Sequence, residues 1–333
     1  MYRFLALILW SILFLPTLAY SSPNTNPRDQ LMESTLNAVE AKQKGYYKRS
    51  SEEMEKYYWA KKELDTEPIG SMAEEEKFFE QEGKGSFYIS AGHDANHMHY
   101  KEYSGSDTLD EDYGKLRGFY VSLGYKSGHR LAWLMETKPF IEGYFRRYDE
   151  LITYDGASSL GNPLAFEEKA EIHRFGLKLG GYHSFSSKKE GLFYIDIGNR
   201  TWYRGENGVI QGVLTYAERY RWTYLGVGLG FNYKLFPKLT CGIEIEGMGA
   251  LDSKMRADFL EGGTFVLKGV GGWEFKLPIK YYLLKNISLD VTPYSTWWNI
   301  TESSPVSISG TYYYEPNSHT HIEGLLVGIT CRL

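Results

Sequence analysis

From residue 85 onward, apolar side chains alternate with polar or small ones at a period of two. The clearest instance spans 219–251. There Leu225, Val227, Leu229, Phe231, Tyr233 and Leu235 share one parity, and Tyr224, Gly226, Gly228, Gly230 and Asn232 share the other. After a Phe236-Pro237-Lys238 turn, Leu239, Cys241, Ile243 and Ile245 continue the apolar set opposite Thr240, Gly242, Glu244 and Glu246. Successive side chains leave a strand on opposite faces, so this is a hairpin with one greasy face and one polar or small face. The pattern recurs and predicts ten strands, at 85–102, 115–127, 129–148, 169–185, 190–205, 217–235, 238–253, 263–282, 285–301 and 318–333. Their connections alternate in length. Segments 126–129, 184–189, 236–238 and 283–286 are short, whereas 103–114, 149–168, 206–216, 254–262 and 302–317 are longer and more polar. An even strand count with this alternation implies a closed antiparallel barrel, with short turns and both chain ends at one rim.

Period two does not say which face meets water. Three features orient it. The face opposite the apolar one carries Gly176, Gly180, Gly226, Gly228 and Gly230, as suits a crowded inner wall and not a solvated one. Aromatic residues of the apolar parity gather toward strand ends: Phe119, Tyr125, Phe145, Tyr203, Tyr233, Tyr281 and Trp297. The chain also stops on an amphipathic strand, Leu325 to Leu333. The reading is an all-β fold, a ten-stranded antiparallel transmembrane β-barrel over 85–333 preceded by a short α-helical N-terminal extension. A soluble secreted ligand-binding barrel, with the apolar parity inward, is the alternative of the same period.

The N-terminus fits an exported protein. Arg3, an apolar run from Phe4 to Leu15, and Leu18-Ala19 after Pro16 read as a signal peptide over 1–19. No other stretch approaches the roughly 18 apolar residues that a spanning helix needs. Segment 20–84 is charged and poor in β-branched residues, and three short helices are expected at 29–44, 51–64 and 72–82. Ser50 with Glu53 and Ser71 with Glu74 have capping-box spacing. Its thin apolar stripe suits a periplasmic extension or a plug, or a partly disordered leader. A net charge of −5 gives no reason to expect nucleic acid. Aromatic content of 16%, with 28 Tyr, agrees with interfacial belts. Cys241 and Cys331 fall three strand positions apart, too far for a disulfide, so two free thiols are expected.

With the apolar parity outward, the lumen inventory follows. The third strand offers Glu136, Lys138, Glu142, Tyr144 and Arg146; the fourth Arg174, Lys178 and Tyr182; the fifth Asp196, Arg200, Trp202 and Arg204. Glu244 and Glu246 come from the seventh, Lys268, Glu274, Lys276 and Lys280 from the eighth, and Asp290, Tyr294 and Trp298 from the ninth. Charges enclosed in a narrow barrel must pair or be hydrated. A mutually neutralising network filling the bore is favoured over a narrow ion-selective pore, since ten strands enclose little more than side chains can fill. Glu244 and Glu246 have the spacing of an acid/base couple, but abundant Lys and Arg point to structural pairing.

Histidines concentrate at two places. His93, His97 and His99 lie on the first strand, and His319 and His321 on the last. Barrel closure makes those strands neighbours, so the imidazoles meet at one external seam. His97, His99, His319 and His321 are candidate ligands for a divalent metal such as zinc, copper or nickel, against the plainer reading of a solvated polar rim. No other cofactor is expected.

Residues 85–333 resemble a Gram-negative outer-membrane β-barrel, and the final strand resembles the signal read by the barrel-assembly machinery, although it ends in Leu333 where Phe or Tyr is usual. The resemblance implies outer-membrane lipids, lipopolysaccharide and that machinery as partners. Ten strands are also similar to the omptin family of surface proteases, which activate water with acidic pairs and an Asp-x-His element on the external rim. Here Asp110-Glu111-Asp112 falls in the first external loop and reads as an acidic surface loop. Asp94-Ala95-Asn96-His97 has one residue too many, and no Asp-x-His occurs. The expected function is therefore a non-enzymatic outer-membrane barrel, either a small channel or a closed wall displaying loops. A rim protease or lipid hydrolase is the alternative, and the surface ligand is unspecified.

Overall fold

The computed structural model describes residues 85–131, 136–157, 162–258 and 262–333. They lie in the compact unit Glu74–Leu333; the other unit, Met1–Ala73, falls outside them, as do the leader and the three expected helices. In chain order the strands are β1 (Ser86–Ser104), β2 (Asp107–Lys126), β3 (Lys138–Ala157), β4 (Pro163–Ser186), β5 (Lys189–Arg204), β6 (Gly208–Ile210), β7 (Val213–Thr215), β8 (Glu218–Phe236) and β9 (Leu239–Ala257). There follow β10 (Gly263–Val266), β11 (Val270–Lys276), β12 (Ile279–Leu284), β13 (Ile287–Ile300), β14 (Val306–Ile308), β15 (Thr311–Tyr313) and β16 (Asn317–Arg332). Every wall pairing is antiparallel, and β1 pairs with β16 from Tyr88↔Arg332 to Tyr103↔Asn317. The sheet thus closes with ten wall positions, one of them shared by β10, β11 and β12. Two small hairpins, β6–β7 and β14–β15, form separate two-stranded sheets, and Ile308 of β14 is buried in the core.

The parity assignment holds along the wall. Val227 and Leu229 are each 60% exposed, and Ile89, Leu123, Leu179, Ile195, Ile245 and Ile329 continue an outward apolar band. A wall that exposes a continuous ring of Leu, Ile, Val and Phe is stable only against hydrocarbon. No helix among the described residues is long and apolar enough to cross a membrane, which says nothing of a crossing by strands. Small residues line the inside where large ones must fit. A Cβ on Gly228 would lie 2.1 Å from the Tyr194 ring, and one on Gly118 would lie 1.8 Å from the Arg147 carbonyl oxygen. Both thiols are free, as the strand spacing predicts.

Four expectations need correction. The first, second and fourth external loops are mostly wall: β1 and β2 meet at Gly105-Ser106, β3 and β4 run to 157 and from 163, and β9 runs to 257. Above a membrane both faces of a strand meet polar surroundings, so the greasy parity fades before the strand ends. Glu136 lies below β3, in the left-handed region (φ 58°) and exposed, beside Arg130 at 3.8 Å, so it is not a lumen residue. Lys268 lies between β10 and β11, where the backbone leaves the ladder and parity is lost. Its ammonium points outside to Glu302 at 2.9 Å. The turn after β2 also reaches residue 137, longer than the four residues expected.

Candidate functional site

The bore is closed by three stacked layers of side chains. The lowest is ionic and lies within the apolar band. Arg174, buried on β4, donates from Nη1 to Glu274 at 2.9 Å and from Nη2 to Asp196 and Glu246, each at 3.3 Å. Arg146, its neighbour across the β3–β4 ladder, bonds Asp94 and reaches Glu274 at 3.5 Å. Lys276 meets Glu244 at 2.9 Å and Glu274 at 2.8 Å, and Lys178 lies 3.5 Å from Glu244. Tyr144 donates to Asp196 at 2.6 Å and Tyr294 to Asp94 at 2.7 Å. Four strands contribute these five carboxylates and four cations answer them, so one mesh ties opposite walls together. Toward the opposite rim from the mouth, Glu142 accepts from Tyr88 at 3.0 Å, Asp290 bonds Thr330, and Lys138 is half-buried.

Above the mesh lies an apolar and aromatic layer: Met98, Leu116, Tyr148, Ile172, Trp202, Trp222, Met248, Trp298 and Ile322, all buried. Trp222 and Trp298 pack with ring centroids 5.1 Å apart, and Trp202 stacks on Tyr220 at 5.0 Å. Arg200 lies in this layer and not in the mesh. Its guanidinium sits 5.0 Å from the Trp222 ring and 5.6 Å from the Trp298 ring, and among the described residues it makes no ion pair. Aromatic faces are its partners, a cation–π arrangement.

The top layer, at the mouth, stands above the apolar band, where outward neighbours such as Lys101, Glu111, Lys169 and Glu171 are polar. Its centre is Arg204. Around it lie Asp112 at 2.7 Å, Glu102 at 2.8 Å, Glu168 and Glu218 at 3.2 Å each, and Asp110 at 3.4 Å. A sixth carboxylate, Glu315, accepts from Tyr220 at 2.5 Å. Asp110 and Asp112 are therefore not a surface loop; they belong to β2 and point into the mouth. Arg204 appears in the lumen inventory drawn from the sequence, but its carboxylate shell does not. The signal was present: Glu102 and Glu218 hold the inward parity within their assigned strands, and Asp110, Asp112 and Glu168 continue it past the assigned strand ends.

Burial dominates the acid chemistry of the mouth. It pushes Asp110 up to about 6 and Glu218 up to about 7 despite Arg204. Asp112, Glu168 and Glu315 are raised for the same first cause. An unfolded chain releases these protons near pH ~4. Between about pH 4 and 7 the folded mouth therefore holds more protons than the unfolded chain, and stability falls as pH rises. The denaturation midpoint of the refolded protein is expected to drop from pH 5 to pH 8. The drop should shrink in an Asp110→Asn, Glu218→Gln variant; an equal slope in that variant would remove the mouth as its source.

The outer wall carries the histidines. On β1 the odd residues face outward, so Asp94 points in and His97 points out, and the two cannot act as a dyad. His97 stands opposite Glu323, His99 opposite His321, and Lys101 opposite His319, all on the outside of the closing seam. Among the described residues no group of three or more His, Cys, Asp or Glu side chains is gathered into a formed metal site.

No protein-family model matches the chain, and no curated protein matches it in sequence. Among solved structures, the outer membrane protease OmpT of Escherichia coli is similar over 76% of this chain and 98% of its own, with 11% identity and a TM-score of 0.52. The translocator domain of the autotransporter NalP from Neisseria meningitidis aligns with 84% of this chain and 98% of its own, at 12% identity and a TM-score of 0.41. The fold is that of an outer-membrane β-barrel. At such identity the likeness to the protease concerns the path of the backbone and carries no catalytic residue across.

Proposed function

We propose that this chain, exported by its 1–19 leader, is an integral outer-membrane barrel that neither catalyses nor conducts, and that displays structure at the cell surface. The observation that carries the reading is the middle layer. Trp202, Trp222, Trp298, Met98 and Leu116 are each almost fully buried inside the barrel, between two ionic layers. A water-filled channel needs a hydrated lining; here the bore is packed like a protein core. The strands rise well above the apolar band and lift the two hairpins. Val209 and Leu214 on β6–β7, with Tyr312 on β15 and Tyr314 just after it, are exposed there, the composition of a contact surface and not of a solvated loop. Lys101, Lys115, Arg117 and Arg147, outward above the band, suit the phosphates of lipopolysaccharide. Insertion would use the barrel-assembly machinery, and residues 20–84 would remain periplasmic.

Planar-bilayer recording tests this. The full chain and a version lacking residues 20–84 are both expected to be silent at high voltage. Stepwise conductance of both would overturn the closed reading, and conductance of the truncated chain alone would make 20–84 the seal.

A further inference from the structure

We propose that His99 and His321 form a bis-imidazole site for a transition-metal ion, copper or zinc, on the outer wall across the β1–β16 seam. The two residues are directly opposite in the register and both face outward. Directly opposed residues of an antiparallel pair have Cβ atoms roughly 4.5–5.5 Å apart, close enough for two imidazoles to converge on one ion with metal–nitrogen bonds of about 2.0–2.1 Å.

The structure supplies what sequence spacing lacks, a set of outer partners that hold the rings. His99 Nε2 is tied to Glu111 Oε2 at 3.0 Å, and His321 Nε2 to Ser295 Oγ at 2.7 Å. With Nε2–H donated to oxygen, Nδ1 carries the lone pair, and a carboxylate or hydroxyl behind a ligating imidazole fixes both tautomer and ring plane. The plane of His321 is fixed again from the side. Its ring stacks on Trp297 at 4.7 Å and 12°, and Trp297 stacks on Trp273 at 4.0 Å and 14°. His319, held by Tyr103 at 3.1 Å, is one register step away and is the next nitrogen in reach.

The charged groups facing the pair are Glu111, itself bound to Lys101 at 2.5 Å, and Glu323, 3.5 Å from His321. Two neutral imidazoles with carboxylates behind them select copper, nickel or zinc over calcium or magnesium, which prefer all-oxygen shells. Water would complete the sphere, so the site is open and exchangeable. The side chains of His99 and His321 are 38% and 24% exposed, which leaves them reachable from outside.

Trp297 is the built-in reporter. Copper(II) added to the refolded full-length protein in detergent at pH 7.5 is expected to quench tryptophan emission saturably, with one ion per chain. Affinity should fall at least tenfold in His99→Ala and in His321→Gln. His129→Ala, which alters a histidine in the turn after β2, should bind as wild type. Electron paramagnetic resonance of the copper complex should show two coupled nitrogens. Equal quenching in wild type and the His99→Ala, His321→Gln double variant, or a spectrum with oxygen ligands alone, would overturn the proposal. Each variant's barrel is verified by its unheated migration in detergent gels, so a folding failure is not mistaken for lost binding.

Discussion

Replacing Arg204 with Met is expected to cost about 3–5 kcal/mol of stability, the usual toll of removing one partner from a buried ionic cluster. Arg204 is 5% exposed and is the cation that meets Glu102, Asp110, Asp112, Glu168 and Glu218 at ion-pair distance. Without it these acids, which come from β1, β2, β4 and β8, must take up protons or draw in water. The loss should therefore be greater at pH 8 than at pH 5, and it should first appear as faster hydrogen exchange at the upper ends of β2 and β4. Arg200→Met is the matched control. That guanidinium is equally buried but faces Trp222 and Trp298, with no ion pair among the described residues, so an apolar chain of similar length should change the urea midpoint little. Equal losses in the two variants would show that the mouth is not held by its ionic hub.

A second large effect is expected from the middle layer. Trp298→Ala and Trp222→Ala each remove a side chain with 1% or less exposure and leave a void, at about 3–5 kcal/mol each. The rings touch, so the double variant should lose less than the sum. It should also let water reach Arg200 and quench the remaining tryptophans by added iodide. Unchanged midpoints and unchanged quenching would mean that the layer is not packed as described. The ionic mesh below should keep even the double variant from conducting, because Arg174, Lys276 and their carboxylates still cross the bore.

The two arginines show where sequence reading succeeds and where it stops. Both were legible as inward residues of β5, since parity alone places them. Their opposite circumstances were not, because Arg200 and Arg204 differ by four positions on one strand and by everything that other strands bring to each. Glu136 and Lys268 failed for a related reason: a period-two count runs through a turn or a break as if the strand continued. The bulge of β9, where Leu251 is skipped between Ala250 and Asp252, resets parity in the same silent way. The histidines fared differently. Closure correctly made β1 and β16 neighbours, yet only the register puts His99 against His321 and sets Glu111 and Ser295 behind them.

By itself the sequence determined the ten-stranded wall, its greasy outside, its charged and glycine-rich inside, and the free thiols. All of these follow from local alternation, which any strand carries in its own residues. Only the tertiary structure decided that the bore is filled in three layers, that Arg204 gathers acids from four other strands, and that two imidazoles face each other on the outer wall. These depend on register and on side chains meeting across the barrel, and no single segment of chain encodes where its distant partners will stand.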